Sequence, residues 1–180
     1  MTHTAAPETV HYTIQPSPIG PLLIASIRHE IVRVAFQNQD FDSVLTGLQE
    51  QFGGPVQRDD HALRFATAQL EEYFAGTRQS FDVPTRQLSP DRFNSEVQQQ
   101  LATIPYGETR SYGQFAEQLV RPGAARAVGS ACAKNPMPLI QPCHRVVRAD
   151  GTIGDFSGTP AAKEYLLALE RGEQPDAPTS

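Results

Sequence analysis

The sequence predicts an α+β protein in which strands come first and helices follow. Three β-rich runs, VHYTIQ, PLLIAS and IVRVAF, lie within residues 10–36 and are separated by turn-forming residues. After residue 90, apolar residues recur at helical spacing between Pro and Gly stop signals. Strands and helices that are segregated along the chain are typical of an α+β fold.

Two helices follow the strands in the N-terminal half. Residues 42–52 predict a short helix, and residues 62–75 predict a stronger one that ends at Gly76. One face of the second helix carries an apolar series: Leu63, Ala66, Leu70 and Phe74. The run QSFDVPT, residues 79–85, predicts a further strand, which Pro84 restricts to an edge.

The C-terminal half predicts three helices, two of them joined by a tight turn. Ser89-Pro90 is typical of an N-cap and first helical residue, and Phe93, Val97 and Leu101 then repeat at four-residue spacing. Ser111 and Gln114 form a capping-box pattern that opens a helix to about residue 120. The turn 121–123 leads into a helix over about 124–134, which indicates a helix-turn-helix, although an ordinary αα-corner has the same pattern.

Composition and charge limit the class of protein. The chain has 180 residues, of which 39% are hydrophobic and 19% charged, so a globular fold is expected. The net charge of −5 excludes a wholly basic nucleic-acid coat protein. Residues 109–150 nevertheless carry six basic and two acidic side chains, which favours phosphate contacts around the predicted helix-turn-helix. A solvated face with scattered arginines is the alternative.

The two cysteines, Cys132 and Cys143, cannot make a disulfide framework or a cysteine-only zinc site. The N-terminus lacks the charged and apolar regions of a secretory signal, and no apolar run reaches the roughly 18 residues that span a bilayer. We therefore expect a soluble, cytoplasmic protein with reduced thiols and no contact with membranes.

Cys143 is the strongest candidate for chemistry because a histidine and an arginine follow it directly in Pro142-Cys143-His144-Arg145-Val146-Val147. Nearby cations lower the pKa of a thiol and so favour the reactive thiolate. Adjacent residues of a strand point to opposite faces, so His144 reaches the sulfur only if the backbone turns or a water bridges them. A buried structural cysteine beside a surface histidine is the alternative.

This hexapeptide resembles the active-site motif of the O6-alkylguanine-DNA alkyltransferases. Further segments resemble the same family at matching positions: residues 104–112 its entry to the helix-turn-helix, residues 123–129 its recognition helix, Asn135-Pro136 the segment before the cysteine, and Gly154–Gly158, Lys163–Leu167 and Glu170 its closing loop and last helix. The good match covers about residues 93–171, and the first half is similar only in outline.

The resemblance implies a ribonuclease-H-like N-terminal domain over residues 1–86 and a helical, winged helix-turn-helix domain over residues 87–175. It implies DNA repair in which Cys143 takes the alkyl group from O6-alkylguanine as a thioether, once per molecule. The implied partner is double-stranded DNA, bound through its minor groove with the target base flipped out. Binding as a monomer is expected, with cooperativity on DNA left open. No cofactor and no metal is needed, and association with the nucleoid is expected while the protein is on DNA.

The resemblance also assigns roles to residues. His144 serves as base for Cys143 through a water, Glu170 orients His144, and Asn135 holds the turn near the cysteine. Tyr112 presses on the 3′ phosphate and donates a proton to guanine N3, and Ser157 binds O6. The carbonyls of Cys143 and Val146 read the exocyclic amine. Arg126 fills the gap left by the flipped base, on a recognition helix whose Ala125 and Gly129 also face DNA. Cys132 is expected in the core.

Four features depart from the family pattern: Gln141 replaces an aliphatic residue, Gln98 stands where a tryptophan is frequent, Asp155 puts a carboxylate in the closing loop, and Thr159-Pro160 replaces a glycine. They leave open the rate and the range of alkyl groups accepted. Three other functions remain as alternatives. They are a non-catalytic lesion-binding protein, a cysteine hydrolase built from Cys143, His144 and Asn135, and a helix-turn-helix regulator that prefers one DNA sequence.

Overall fold

The computed structural model describes residues 6–179 and confirms the α+β fold. The strands in that range are β1 (Glu8–Gln15), β2 (Leu22–Ile27), β3 (Glu30–Phe36), β4 (Gly53–Arg58), β5 (Arg110–Ser111) and β6 (Val146–Val147). The helices in the same range are α1 (Phe41–Phe52), α2 (Arg64–Phe74), α3 (Arg92–Gln100), α4 (Tyr112–Gln118), α5 (Ala125–Ala133) and α6 (Pro160–Glu170). None of the helices in the described part of the chain is long and apolar enough to cross a membrane.

The predicted N-terminal domain, residues 1–86, begins with five residues that lie outside the described range. Its boundary with the domain predicted over residues 87–175 stays a prediction.

The N-terminal sheet has the strand order β3-β2-β1-β4. Strands β1, β2 and β3 pair antiparallel, and β4 pairs parallel with β1. Strand β2 is buried along its whole length because both of its faces are covered. Leu23 and Ala25 pack toward α1, whereas Leu22 and Ile24 pack toward α2 and the C-terminal half. A strand covered on both faces reads as a continuous apolar run, as LLIASI does.

Strand β4 is absent from the sequence-based expectation, and its composition explains why. It begins Gly53-Gly54-Pro55, residues that normally signal a turn. Proline is tolerated because β4 lies at the edge of the sheet. Gly54 is needed there, since a Cβ on it would lie 2.2 Å from the carbonyl oxygen of Glu8 on β1.

Two further N-terminal expectations are corrected. Residues 79–85 form no strand, and only Thr85 makes an isolated bridge to Ile31 of β3. In α2, Phe74 is half-buried, and Tyr73 is the residue that turns fully into the core after Leu70. The predicted apolar series, which ends at Phe74, therefore places the last fully buried residue of α2 one position too late.

The C-terminal helices begin at capping residues. Helix α3 is capped by Asp91, whose carboxylate accepts from the Asn94 amide, so the predicted cap at Ser89 is wrong by two residues. The Ser89 hydroxyl donates instead to the main-chain carbonyl of Asp91. Helix α4 has the predicted capping box, in which Ser111 and Gln114 each satisfy the other's backbone amide. Helices α4 and α5 then pack on each other through the turn 119–124.

A short parallel strand pair and an apolar core surround Cys143 in the C-terminal half. Strand β6, which is formed by the last two residues of the cysteine motif, pairs parallel with β5, so Arg110 lies opposite Val146. The apolar core of the helical half surrounds Cys143 and contains both cysteines, so Cys132 is buried as expected: Val97, Leu101, Ile104, Phe115, Ala116, Leu119, Val128, Ala131, Cys132, Cys143 and Val146. A second core joins the two halves through Met137, Leu139, Tyr165 and Leu166. The site therefore lies beside a packed core to which both halves of the protein contribute.

Candidate active site

Cys143 begins a 3-10 turn that ends at Arg145, so the backbone does bend at the motif. The Arg145 amide donates to the carbonyl of Pro142 at 3.1 Å, which closes the turn. Cys143 is 1% exposed and His144 fully buried, which rules out the alternative of a surface histidine. The turn therefore meets the condition under which the two side chains can serve one site.

Asn135 holds the segment that approaches the cysteine. Its Nδ2 donates to the Gln141 carbonyl at 2.7 Å, and its Oδ1 accepts from the Met137 amide at 3.0 Å. The Cys143 amide donates to the same Gln141 carbonyl at 2.8 Å. Asn135 lies two residues beyond the end of α5, so this buried amide links the predicted recognition helix to the nucleophile.

Glu170, the last residue of α6, is the hydrogen-bond centre of the site. Its carboxylate accepts from His144 Nε2 at 2.7 Å and from Arg145 Nε and Nη2 at 2.9 and 3.0 Å. It also accepts from the Tyr73 hydroxyl at 2.7 Å and the Gly107 amide at 3.2 Å. Burial alone would raise the pKa of Glu170, but His144 and Arg145 hold it well below its ordinary value. The carboxylate is therefore ionised at neutral pH.

His144 has its tautomer set by this carboxylate. Burial lowers the pKa of His144 against the opposing effect of Glu170, so the ring is neutral at pH 7. Because an ionised carboxylate only accepts hydrogen bonds, Nε2 carries the proton and Nδ1 carries the free lone pair. Within residues 6–179, Nδ1 is buried and has no partner. His144 is thus arranged to accept a proton at Nδ1.

The thiol of Cys143 lies in a mixed environment. Burial raises its pKa, and a hydrogen bond from Asn135 and the charge of Lys163 oppose that rise. Lys163 is itself fully buried, and its ammonium group donates to the carbonyls of Val146 at 2.7 Å and Asp155 at 3.3 Å. Burial lowers the pKa of Lys163. The Lys163 side chain therefore opposes the rise in the pKa of Cys143 and also joins the 154–158 loop to strand β6.

Four of the residues predicted to contact DNA lie together in a cleft whose lining does not include Cys143. Tyr112, Ala125, Arg126 and Gly129 line a cleft of about 280 Å³ with Arg148 and Asp155. The Tyr112 hydroxyl donates to the main-chain carbonyl of Asp155 at 3.2 Å, and burial raises the pKa of Tyr112 to about 12. Gly154 permits this approach because a Cβ on it would lie 2.5 Å from that hydroxyl. Arg126 is exposed and makes no ion pair within the described residues.

Ser157 lies in the same loop. Its hydroxyl is buried and has no hydrogen-bond partner in the described part of the chain, while its carbonyl accepts from Asn38 of the N-terminal half at 3.3 Å. An unpaired buried hydroxyl is costly, so a polar group of a substrate is its natural partner. Phe156 packs on Phe36 with ring centroids 5.1 Å apart, which anchors the loop to the N-terminal sheet.

The count of basic residues overestimates the surface charge near the helix-turn-helix. Arg145 is buried on Glu170, and Arg110 and Arg121 pair with acidic neighbours. The basic side chains left for phosphates in that region are Arg126, Lys134 and Arg148. The sequence alone does not show which arginines are internal.

Sequence reasoning missed two residues of the site, Tyr73 and Lys163. It singled out Arg145 as a cation next to the cysteine, whereas the Arg145 guanidinium binds Glu170. Lys163 has a recognisable signal, since it lies two helical turns before Glu170 on the buried stripe of α6. A charged residue on an apolar helix face is a sign of a buried polar partner. Tyr73 carries no comparable signal, because tyrosine on a core face is common.

The fold and the site together define a helix-turn-helix protein in which a buried cysteine and a buried histidine lie on one turn beside a glutamate. Comparison with known proteins agrees with this class. The profile of the 6-O-methylguanine DNA methyltransferase ribonuclease-like domain matches residues 10–87, and that of the DNA binding domain of the same name matches residues 92–172. The chain belongs to the 6-O-methylguanine DNA methyltransferase family, which confirms the resemblance found in the sequence.

Similar proteins match over nearly their whole length. The methylated-DNA–protein-cysteine methyltransferase of Mycolicibacterium paratuberculosis is 40% identical over 92% of this chain and 95% of its own. The crystal structure of Mycobacterium tuberculosis O6-methylguanine methyltransferase has a TM-score of 0.80 at 40% identity, covering 92% of this chain and 95% of that one. A structure of the protein from that organism in complex with DNA has a TM-score of 0.78 at 39% identity, covering 93% and 95%.

Proposed function

We propose that this protein repairs DNA by transferring the alkyl group of O6-alkylguanine directly and irreversibly to Cys143. The observation that carries the proposal is the free Nδ1 of a buried, neutral His144 on the same turn as Cys143, with an ionised Glu170 behind it. Nucleophile, base and orienting carboxylate are the parts that activate a thiol. The relatives' names, and a related structure in complex with DNA, supply the substrate class.

The chemistry balances without any further reactant. The thiol proton passes through a water to His144 Nδ1, and the thiolate attacks the alkyl carbon. The new S–C bond forms as the C–O6 bond breaks, and its electron pair remains on the guanine. Tyr112 serves as proton donor to N3, and its raised pKa keeps it protonated for that role. A thioether has no leaving group, so each molecule acts once.

The burial of Cys143 requires that the base leave the duplex. Arg126, which is exposed and lines the cleft, fills the gap in this proposal, with Ala125 and Gly129 against the DNA backbone. We propose that the helix lies in the minor groove, where little sequence code is available and a lesion can be sought anywhere. The protein acts there as a monomer.

The guanine is held by polar groups that have hydrogen-bonding capacity left within the protein. Ser157 donates to O6, and the carbonyls of Cys143 and Val146 accept from the exocyclic amine. The Val146 carbonyl already accepts from Lys163, which leaves it one lone pair for the base and fixes its direction.

The alternatives lose their structural basis. A hydrolase triad needs Asn135 on His144, but the Asn135 amide binds main-chain groups and Glu170 holds His144 instead. A purely lesion-binding or regulatory protein has no use for a buried histidine with a free Nδ1 on the same turn as a buried thiol. Turnover of a simple ester, or strong preference for one DNA sequence, would favour the hydrolase or the regulator respectively.

Intact-protein mass spectrometry tests the proposal. The protein is mixed with a duplex that contains one O6-methylguanine, and the modified peptide is then mapped. We expect a gain of one methyl group on Cys143, complete at equimolar DNA and absent in Cys143→Ser. Cys132→Ser is the matched control and should react like the wild type. An unchanged mass with lesion binding retained would leave a recognition protein only.

Asp155→Asn is expected to tighten DNA binding several-fold at low salt. The Asp155 carboxylate is exposed in the cleft beside Arg126 and Arg148, where it repels phosphates and offsets their attraction. The test is a fluorescence anisotropy titration with undamaged duplex at two salt concentrations. Asp176→Asn, the same charge change in the C-terminal segment, serves as control. Equal affinities of Asp155→Asn and wild type at low salt would contradict the prediction.

A further inference from the structure

Three glutamines form a directional chain of hydrogen bonds through the interior of the protein. Gln141 Nε2 donates to Gln87 Oε1 at 3.0 Å, and Gln87 Nε2 donates to Gln98 Oε1 at 2.6 Å. Gln98 Nε2 then donates to the main-chain carbonyl of Ala131 on α5 at 3.1 Å. Gln98 is 1% exposed and Gln141 6% exposed, and Gln87 is half-buried in the linker between the two halves.

The chain begins at the nucleophile. The main-chain carbonyl of Gln141 accepts from both the Cys143 amide and the Asn135 side chain. Asn135 also lowers the pKa of the Cys143 thiol against the effect of burial. The position of one carbonyl therefore sets the direction of both groups that fix the thiol.

The chain ends on the helix that carries Arg126. Ala131 lies on α5, little more than one helical turn beyond Arg126, and a helix of nine residues moves as a unit. Hydrogen bonds constrain direction as well as distance, whereas apolar contacts at the same places would let the segments slide. Removing any one link would leave a buried amide unpaired, so the links depend on one another.

Gln98 and Gln141 are the two positions at which the sequence departs from the family pattern inside the core. The structure shows that both side chains bind the same third residue, Gln87. Two separate departures are thus one feature of this chain.

We infer that Gln141 is a positioning residue for Cys143, and that Gln87 and Gln98 hold it in register with the DNA-recognition helix α5. The inference rests on the proposed function for its DNA-dependent part, because α5 is the element placed on DNA. The effect on the thiol itself does not depend on that function.

The experiment measures the pH profile of Cys143 alkylation by iodoacetamide, followed by mass spectrometry at that residue, and methyl transfer from an O6-methylguanine duplex in parallel. The variants are Gln141→Met and Gln87→Met, which keep the side-chain length and remove the hydrogen bonds. Gln99→Met, on the exposed face of α3, is the matched control. The titratable groups around Cys143 are His144, Lys163, Cys132 and Tyr112, and none of them is changed.

We expect Gln141→Met and Gln87→Met each to move the midpoint of the profile to higher pH and to slow both reactions about tenfold. The double variant should be no slower than the slower single variant, because both break one chain. Gln99→Met should match the wild type. A wild-type profile for Gln87→Met, or independent multiplication of the two effects, would overturn the inference.

Two outcomes separate this inference from the proposed function. Absence of methyl transfer in the wild type, with the iodoacetamide profiles shifted as expected, would reject the function and support the positioning role. Normal methyl transfer in all variants, with unshifted iodoacetamide profiles, would support the proposed function and reject the positioning role. Since Gln87 lies outside the tightly packed core, Gln87→Met gives an answer even if Gln141→Met does not fold.

Discussion

Glu170→Gln is expected to lower the free energy of unfolding by about 3–5 kcal/mol and to slow methyl transfer about 100- to 10,000-fold. The carboxylate accepts from two side chains of the cysteine turn, His144 and Arg145, and from Tyr73. A neutral amide leaves the buried guanidinium of Arg145 without a counter-charge. It also offers an N–H that disrupts the His144 tautomer with a free Nδ1.

Urea unfolding and single-turnover methyl transfer, both at neutral pH, measure these two effects. Glu173→Gln is the control, since Glu173 is exposed and pairs with Arg171. The folded-state pKa of Glu170 is depressed, so its contribution to stability is present above its unfolded pKa of about 4.3 and is lost as the pH falls toward the folded value. The stability gap between wild type and Glu170→Gln should therefore narrow in acid. A gap independent of pH would contradict this account.

Lys163→Met is expected to slow methyl transfer about 10- to 100-fold and to move the pH profile of Cys143 to higher pH. The buried ammonium group favours the thiolate, and one unit of pKa corresponds to a tenfold change in its fraction. The substitution also removes the donor to the carbonyls of Val146 and Asp155, which loosens the loop that carries Ser157. The rate should therefore fall by more than the thiol shift alone explains.

The effect on stability should be smaller than that of Glu170→Gln, because a buried charge is removed together with its hydrogen bonds. Rate–pH curves for methyl transfer and iodoacetamide alkylation distinguish the two contributions. Lys134→Met, which removes an exposed lysine directly after α5, should reproduce the wild-type iodoacetamide curve, which does not depend on DNA. Coincident profiles of Lys163→Met and wild type would exclude the electrostatic role.

Local signals predicted most of the fold. The capping box of Ser111 and Gln114 fixes the start of α4, because its partners lie three residues apart. Strand β4 could not be predicted, since Gly53-Gly54-Pro55 becomes a strand only through pairing with β1, some forty residues earlier. Tertiary pairing there overrides the local preference for a turn.

The candidate site was predictable only in part. Residue types alone left Cys143 open between a nucleophile and a structural thiol, and the family resemblance supplied the roles of Asn135, His144 and Glu170. Their geometry is now described, and their roles remain predictions. The contacts of Arg145 and Tyr73 join segments far apart in the chain, so no local pattern carries them.

The position of Glu170 along the chain has a consequence for biosynthesis. The carboxylate lies 97 residues after Tyr73 and 25 residues after Arg145. During synthesis, the residues that donate hydrogen bonds to this carboxylate therefore leave the ribosome before Glu170 does. Until α6 has emerged, the Arg145 guanidinium lacks its counter-ion and the His144 imidazole lacks its acceptor, so both groups must stay hydrated. The hydrogen-bonded cluster around the cysteine motif is thus completed last, and a nascent polypeptide that stops before α6 carries the complete cysteine motif without the carboxylate that orients His144.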